Sequence, residues 1–158
     1  AICDFELKKA MEFHKNNSAD ATLMAKRVDD PREYGLIIEK DGKVLFCKRG
    51  AGGNCPFLWE FPGGKIEPGE TPFEAIIREI REELSAEIAP TEIFCEYPFS
   101  YPEKEIYFYF IKAKLLSEKI EATFHSETKW LSPVESESLE FCPADVFAAE
   151  KLKGEYKK

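Results

Sequence analysis

The stretch from Gly63 to Leu84, GGKIEPGETPFEAIIREIREEL, constrains the chain more than any other. It specifies a loop, a helix start and an acid-loaded helix in one run. Thr71 is a good N-cap, Pro72 suits the first helical position, and Glu74 completes a capping box with Thr71. Phe73, Ile76, Ile77, Ile80 and Leu84 follow helical spacing, so one face is apolar and turns to a core. Glu79, Glu82 and Glu83 fall together on a different face. Like charges at such spacings repel by roughly 0.2–0.5 kcal/mol per pair on an exposed helix. Two readings follow. One is a solvated acidic face. The other is a seat for a hard divalent cation, which takes oxygen ligands and cancels the repulsion.

A chain of 158 residues is long enough for one domain with a real core. No apolar run is long enough for a transmembrane helix, and the start carries no signal-peptide pattern, so a cytoplasmic, membrane-free protein is expected. The formal charge of −8 argues against a polynucleotide partner, which needs a basic face. Small phosphate substrates stay open, because a bound metal supplies positive charge. Cys3, Cys47, Cys55, Cys95 and Cys142 are odd in number and form no CxxC pair. They read as reduced thiols, not as a disulfide frame or zinc site.

Gly64, five residues, Glu70, seven residues, then Arg78-Glu79-Ile80-Arg81-Glu82-Glu83 resembles the Nudix box. The preceding Trp59-Glu60-Phe61-Pro62 resembles the MutT-like branch of that family, and the likeness spans about residues 34–152. The departures are Ser85 and Ala86, where the family has Gly and a bulky aliphatic. Ser85 replaces a residue that ends a helix left-handed, at a cost of about 1 kcal/mol, so a weaker or shifted helix end is expected.

The resemblance implies an α/β fold, the Nudix α/β/α sandwich with a mixed curved sheet, over residues 34–158. An N-terminal helix–strand extension, residues 1–33, precedes it. It implies metal-dependent hydrolysis of a (deoxy)nucleoside triphosphate to monophosphate and pyrophosphate. Oxidised or cytidine bases suit the Trp-Glu-Phe-Pro-Gly-Gly and Pro-Ala-Asp runs. By resemblance, Mg2+ or Mn2+ is held by Glu79, Glu82, Glu83 and the Gly63 carbonyl, and Arg78 pairs with acids such as Glu70 to hold the loop against the helix. Arg49 and Lys104 contact the substrate, Phe61 and Glu60 lie at the base pocket, and Asp145 reads the base. Asp145 also reads as a plain helix cap. Six residues before Trp130, where the family often places another Glu, stands Phe124, which neither binds metal nor takes a proton. Glu127, Glu121 or His125, or Glu79 or Glu82, are the substitutes, although His125 reads first as a solvated loop residue.

The rest of the chain frames that centre. Residues 4–16 read as a helix, 21–28 as a strand and 29–31 as a turn, and residues 1–38 resemble an internal piece of a sugar-phosphate nucleotidyltransferase. The strand 21–28 needs a sheet edge, in its own chain or in a homodimer partner. Runs 34–40 and 43–48 around Asp41-Gly42 read as a hairpin, and 50–56 as a loop at a pocket entrance. Segments 87–98, 105–115 and 128–131 read as strands, the second central and the third with Trp130 buried. Ser132-Pro133 opens a helix-like turn, and 145–152 reads as a last helix. Two other functions stay open: hydrolysis of a nucleotide-sugar or ADP-ribose through the same box, and a non-catalytic nucleotide-binding module.

Overall fold

The computed structural model describes residues 15–16 and 32–157. Residues 15–16 are helical. The strand 21–28, the turn 29–31 and the rest of the first helix lie outside the described residues, and so does the pairing of that strand with a sheet edge of its own chain or of a homodimer partner.

Seven strands form one mixed sheet: β1 (Arg32–Lys40), β2 (Lys43–Lys48), β3 (Trp59–Glu60), β4 (Gly63–Lys65), β5 (Ile88–Ser100), β6 (Glu105–Leu115) and β7 (Glu127–Leu131). The main path runs β3-β2-β1-β6-β5, with β4 on β1 and β7 on β2. Among the described strands only the β1–β6 pair is parallel, from Arg32 opposite Tyr107 to Glu39 opposite Lys114. Asp41 and Gly42 both adopt positive φ (52° and 72°), the two-residue turn that matches strand twist and joins β1 to β2. β5 ends the path, where Pro90 and Pro98 are tolerated because an outer edge needs no partner.

Alternation along the strands divides the core in two. Leu36, Ile38, Leu45, Ile111 and Ala113 face helix α1 (Pro72–Leu84), which buries Ala75, Ile76, Ile80 and Leu84 against them. Ile37, Val44, Phe46, Phe108 and Phe110 face the other way, onto Ala148, Ala149 and Leu152 of helix α2 (Val146–Tyr156). This is the α/β/α sandwich. β6 is central, with its even-numbered aromatics buried and Tyr107 and Tyr109 half-buried. Trp130 is half-buried, less than expected, and packs on the α1 side. Between β7 and α2 lies a single 3-10 turn, Glu135–Ser138, opened by reciprocal bonds between Ser132 and Glu135.

Helix α1 begins with the expected box: Glu74 N–H donates to Thr71 Oγ1 (3.3 Å) and Thr71 N–H to Glu74 Oε2 (2.8 Å). Its far end corrects the expectation of a shifted terminus. The helix stops at Leu84, and Ser85 itself takes the left-handed conformation (φ 47°, ψ 36°). The loop before β7 then supplies donors to the last carbonyls: Thr123 N–H to Glu83 O and Glu121 N–H to Leu84 O, both 2.9 Å. Outside bonds thus hold a turn that Ser alone disfavours. Replacing Ser85 with Gly relieves about 1–2 kcal/mol of left-handed strain and adds roughly 0.4–1 kcal/mol of unfolded-state entropy. Urea unfolding is expected to show Ser85→Gly more stable by about 0.5–1 kcal/mol.

Candidate active site

The site begins where β1 and β2 part. They pair only at Glu39–Val44 and Lys40–Lys43, and the segment 59–65 fills the gap between them. Trp59 and Glu60 pair with Lys48 and Cys47 of β2, Leu36 N–H donates to Pro62 O (2.8 Å), and Gly63–Lys65 pair with Gly35, Tyr34 and Glu33 of β1. A Cβ on Gly63 would overlap the Tyr34 carbonyl, and one on Gly64 would lie 2.8 Å from Glu79 Oε1. Position 63 therefore requires Gly for backbone pairing, whereas a Cβ at position 64 would displace the flexible Glu79 carboxyl. Tyr34 Oη–H donates to Ala75 O (2.9 Å), which pins the first turn of α1 to β1.

Arg78 joins loop to helix. Its Nε and Nη2 donate to Glu70 Oε1 and Oε2 (2.8 and 2.9 Å), and its Nη1 reaches Glu79 Oε1 at 3.0 Å and Glu82 Oε2 at 3.8 Å. Planar, bidentate pairing of this kind is the strong form of the ion pair. The Arg78 hydrogen bonds hold the Glu70 carboxyl down to about 2, with help from the Glu67 N–H. Glu79 is half-buried and Glu82 largely exposed, while Glu83 turns inward to a cavity of about 580 Å³.

Arg49, Glu60, Phe61, Gly63, Lys104 and Asp145 all border that cavity. Arg49 Nη1 donates to Glu60 Oε2 at 2.6 Å, and Glu60 Oε1 lies 3.2 Å from His125 Nε2. Phe61 is buried among Phe46, Phe110 and Phe141, with its edge on the cavity. Lys104 Nζ stands 3.8 Å from Glu33. Asp145 precedes α2 but makes no side-chain cap bond. Its Oδ1 accepts instead from the Phe61 N–H across the cavity wall (3.0 Å), which corrects the reading of Asp145 as a simple cap. Burial pushes the Asp145 carboxyl well above the usual carboxylate range, against that hydrogen bond. Trp59 is a core residue, with Lys129 Nζ 4.7 Å from its ring centroid.

His125 is the second correction: its side chain is only 6% exposed, so it is no solvated loop residue. Phe124 beside it is 70% exposed. Glu121 is exposed, and Glu127 pairs with Lys48 and Lys129. Glu33 and Tyr101, which sequence reasoning did not single out, also line the cavity. Nothing local marks them, because the β1–β6 pairing and the turn after β5 bring them in. His125 did carry a signal, one position from the expected loop acid.

Three buried polar atoms on this wall have no partner among the described residues: Arg49 Nε, Glu83 Oε2 and His125 Nδ1. Burial pushes the Glu83 carboxyl up to about 7, with His125 and Arg49 opposing and Glu79 and Glu60 adding to it. An inward carboxylate oxygen without a donor suits a hard cation, so the residues fit Mg2+ or Mn2+. Among the described residues no three His, Cys, Asp or Glu side chains already gather as a metal cluster.

Comparison with known proteins agrees with this geometry. The NUDIX domain family matches residues 31–157, and the chain belongs to that family. CTP pyrophosphohydrolase of Escherichia coli (strain K12) is 34% identical over 110 residues, 70% of this chain and 82% of that protein. An 8-oxo-dGTP diphosphatase of Haemophilus influenzae is 32% identical over 124 residues, 77% of this chain and 89% of that protein. The solution structure of the E. coli ORF135 protein superposes with a TM-score of 0.67 at 31% identity, covering 78% of this chain and 88% of that one. A 41-residue stretch, 26% of this chain, is 46% identical to mannose-1-phosphate guanyltransferase of Yarrowia lipolytica and spans 11% of that protein.

The Glu70–Arg78 pair makes stability depend on pH. Its folded carboxyl lies near 2, below the roughly 4.3 of an unfolded Glu, so its contribution is full above about pH 5 and is lost as pH falls toward 2. Urea unfolding of wild type and Glu70→Gln is expected to give a stability difference that is constant above pH 5 and shrinks at pH 4 and again at pH 3.

Proposed function

We propose that this chain is a divalent-metal-dependent pyrophosphohydrolase that converts nucleoside triphosphates to nucleoside monophosphate and pyrophosphate. The observation that carries this reading is the set of unpartnered buried atoms on one cavity wall: a guanidinium donor, a carboxylate acceptor and an imidazole nitrogen. Unsatisfied buried groups cost about 1–3 kcal/mol each, and a triphosphate with its counter-cation would satisfy them.

Glu79, Glu82 and Glu83, with the Gly63 carbonyl, would hold Mg2+ or Mn2+. Bound there, the ion neutralises phosphate charge and polarises the phosphoryl group. Arg49 offers its free Nε–H to a phosphate oxygen while Glu60 fixes the guanidinium from the other side. Lys104 adds a second positive charge at the same cavity. Arg78 and Glu70 serve position: their pairing keeps the loop and the acidic helix in register, so the carboxylates are placed before substrate arrives. Phe61 supplies an apolar wall for a base. A buried Asp145 that retains its proton donates as well as accepts, which suits a base edge such as that of cytosine or an oxidised guanine. The named activities of the E. coli and Haemophilus relatives support this choice of bases.

Pyrophosphate release from a panel of triphosphates with Mg2+, including CTP and 8-oxo-dGTP, tests the reading. Turnover is expected for at least one of these bases, with Glu82→Gln slower by at least about a hundredfold. No release from any triphosphate would overturn the proposal. Asp145→Asn is expected to change the ranking of bases more than the rate with the poorest one. The raised Asp145 pKa favours the folded state at low pH and loses that advantage as pH rises above about 3.9. Asp145→Asn is therefore expected to gain stability relative to wild type between pH 4 and pH 8 in thermal unfolding.

A further inference from the structure

We propose that His125 Nδ1 is a nitrogen ligand for the divalent cation of this site, shared with Glu83 and oriented by Glu60. This rests on the reading of the cavity as a metal-dependent hydrolase centre.

Three observations carry it. The first is the tautomer. Glu60, already paired with Arg49 at 2.6 Å, is a carboxylate and can only accept, so His125 Nε2 at 3.2 Å is the donor. With the ring proton on Nε2, the Nδ1 lone pair is free. A carboxylate taking the far N–H of an imidazole is the outer-shell arrangement that fixes histidine ligands and raises their basicity. The second is the want of any other partner. Among the described residues His125 Nδ1, buried on a side chain only 6% exposed, has no partner, and neither has Glu83 Oε2 on the same cavity wall. A lone pair and a carboxylate oxygen without donors do not satisfy one another; a cation satisfies both.

The third is how the loop is held. On one side of His125, Thr123 N–H and Oγ1–H both donate to Glu83 O (2.9 Å each). On the other, Ser126 N–H donates to Lys48 O (2.9 Å) and Ser126 Oγ–H to Arg49 O (3.0 Å). The ring is thus clamped between the residues that carry the other two unpartnered atoms, while its neighbour Phe124 is exposed at the cavity. Preorganisation of this kind belongs to a ligand more than to a chance core histidine. A nitrogen donor also shifts metal preference. Imidazole favours a borderline ion such as Co2+ over Mg2+ more strongly than an all-oxygen set does.

The test uses Co2+ as the probe on the full chain. A coordinated imidazole carries its remaining N–H next to the paramagnetic ion, so proton NMR of the wild-type Co2+ complex is expected to show one far-shifted, solvent-exchangeable signal. The sequence holds only two histidines, which makes assignment direct. The signal is expected to vanish in His125→Gln and to persist in His14→Gln, so the assignment stands even where the first variant folds poorly. Co2+ affinity is expected to fall at least about tenfold in His125→Gln, in line with the losses seen when a metal's histidine environment is disturbed. The preference for Co2+ over Mg2+ should narrow in the same variant. Tight Co2+ binding by wild type with no such signal, or with affinity unchanged in His125→Gln, would overturn the ligand while leaving the hydrolase reading standing. No divalent-ion binding by wild type would overturn both.

Discussion

The parting of β1 and β2, and the segment 59–65 that bridges it, is the constraint on which the rest depends. A hairpin whose strands separate after two pairs leaves backbone donors and acceptors that must be met by another chain segment. Trp59-Glu60 meets those of β2, Gly63–Lys65 those of β1, and Pro62 the Leu36 N–H between them. The same backbone carries Glu60 and Phe61 to the cavity and delivers the chain to α1. A substitution at Gly63 would therefore damage sheet pairing and site together, because the missing Cβ is what lets the Tyr34 carbonyl approach.

On that frame the electrostatics are arranged in two tiers. Arg78 neutralises the outer carboxylates, Glu70 and Glu79, and approaches Glu82. Among the described residues Glu83 Oε2 has no such bonded partner, and burial raises its carboxyl pKa although His125 and Arg49 oppose the shift. The helix can then carry its like charges in the folded state without spending the inner one on a structural bond. Asp145 repeats the pattern on the opposite core: a buried acid with one backbone donor, kept at the wall instead of capping its helix.

Much of this was legible in the sequence. The Asp41-Gly42 hairpin, the Thr71–Glu74 box, the apolar face of α1 and the central place of β6 all follow from local spacing and turn chemistry, and the structure has each of them. Arg49, Phe61 and Asp145 were legible only through resemblance. Backbone bonds between Trp59 and the segment 140–142, far apart in sequence, bring Asp145 to the Phe61 N–H. The end of α1 was misjudged because Ser85 was weighed alone, whereas Thr123 and Glu121 satisfy the last carbonyls from far along the chain. His125 was misjudged for the same reason. Its burial comes from Glu60 and from two clamps on its loop, none of which adjoins it in sequence.

The central claim is that the unpartnered atoms on the cavity wall are the seat of a metal-bound triphosphate. Isothermal titration with an α,β-methylene nucleoside triphosphate, with and without Mg2+, tests this without turnover. Binding is expected to require the ion and to weaken at least about tenfold in both Arg49→Gln and Glu83→Gln. Binding equally tight without Mg2+, or unaffected by both substitutions, would contradict it.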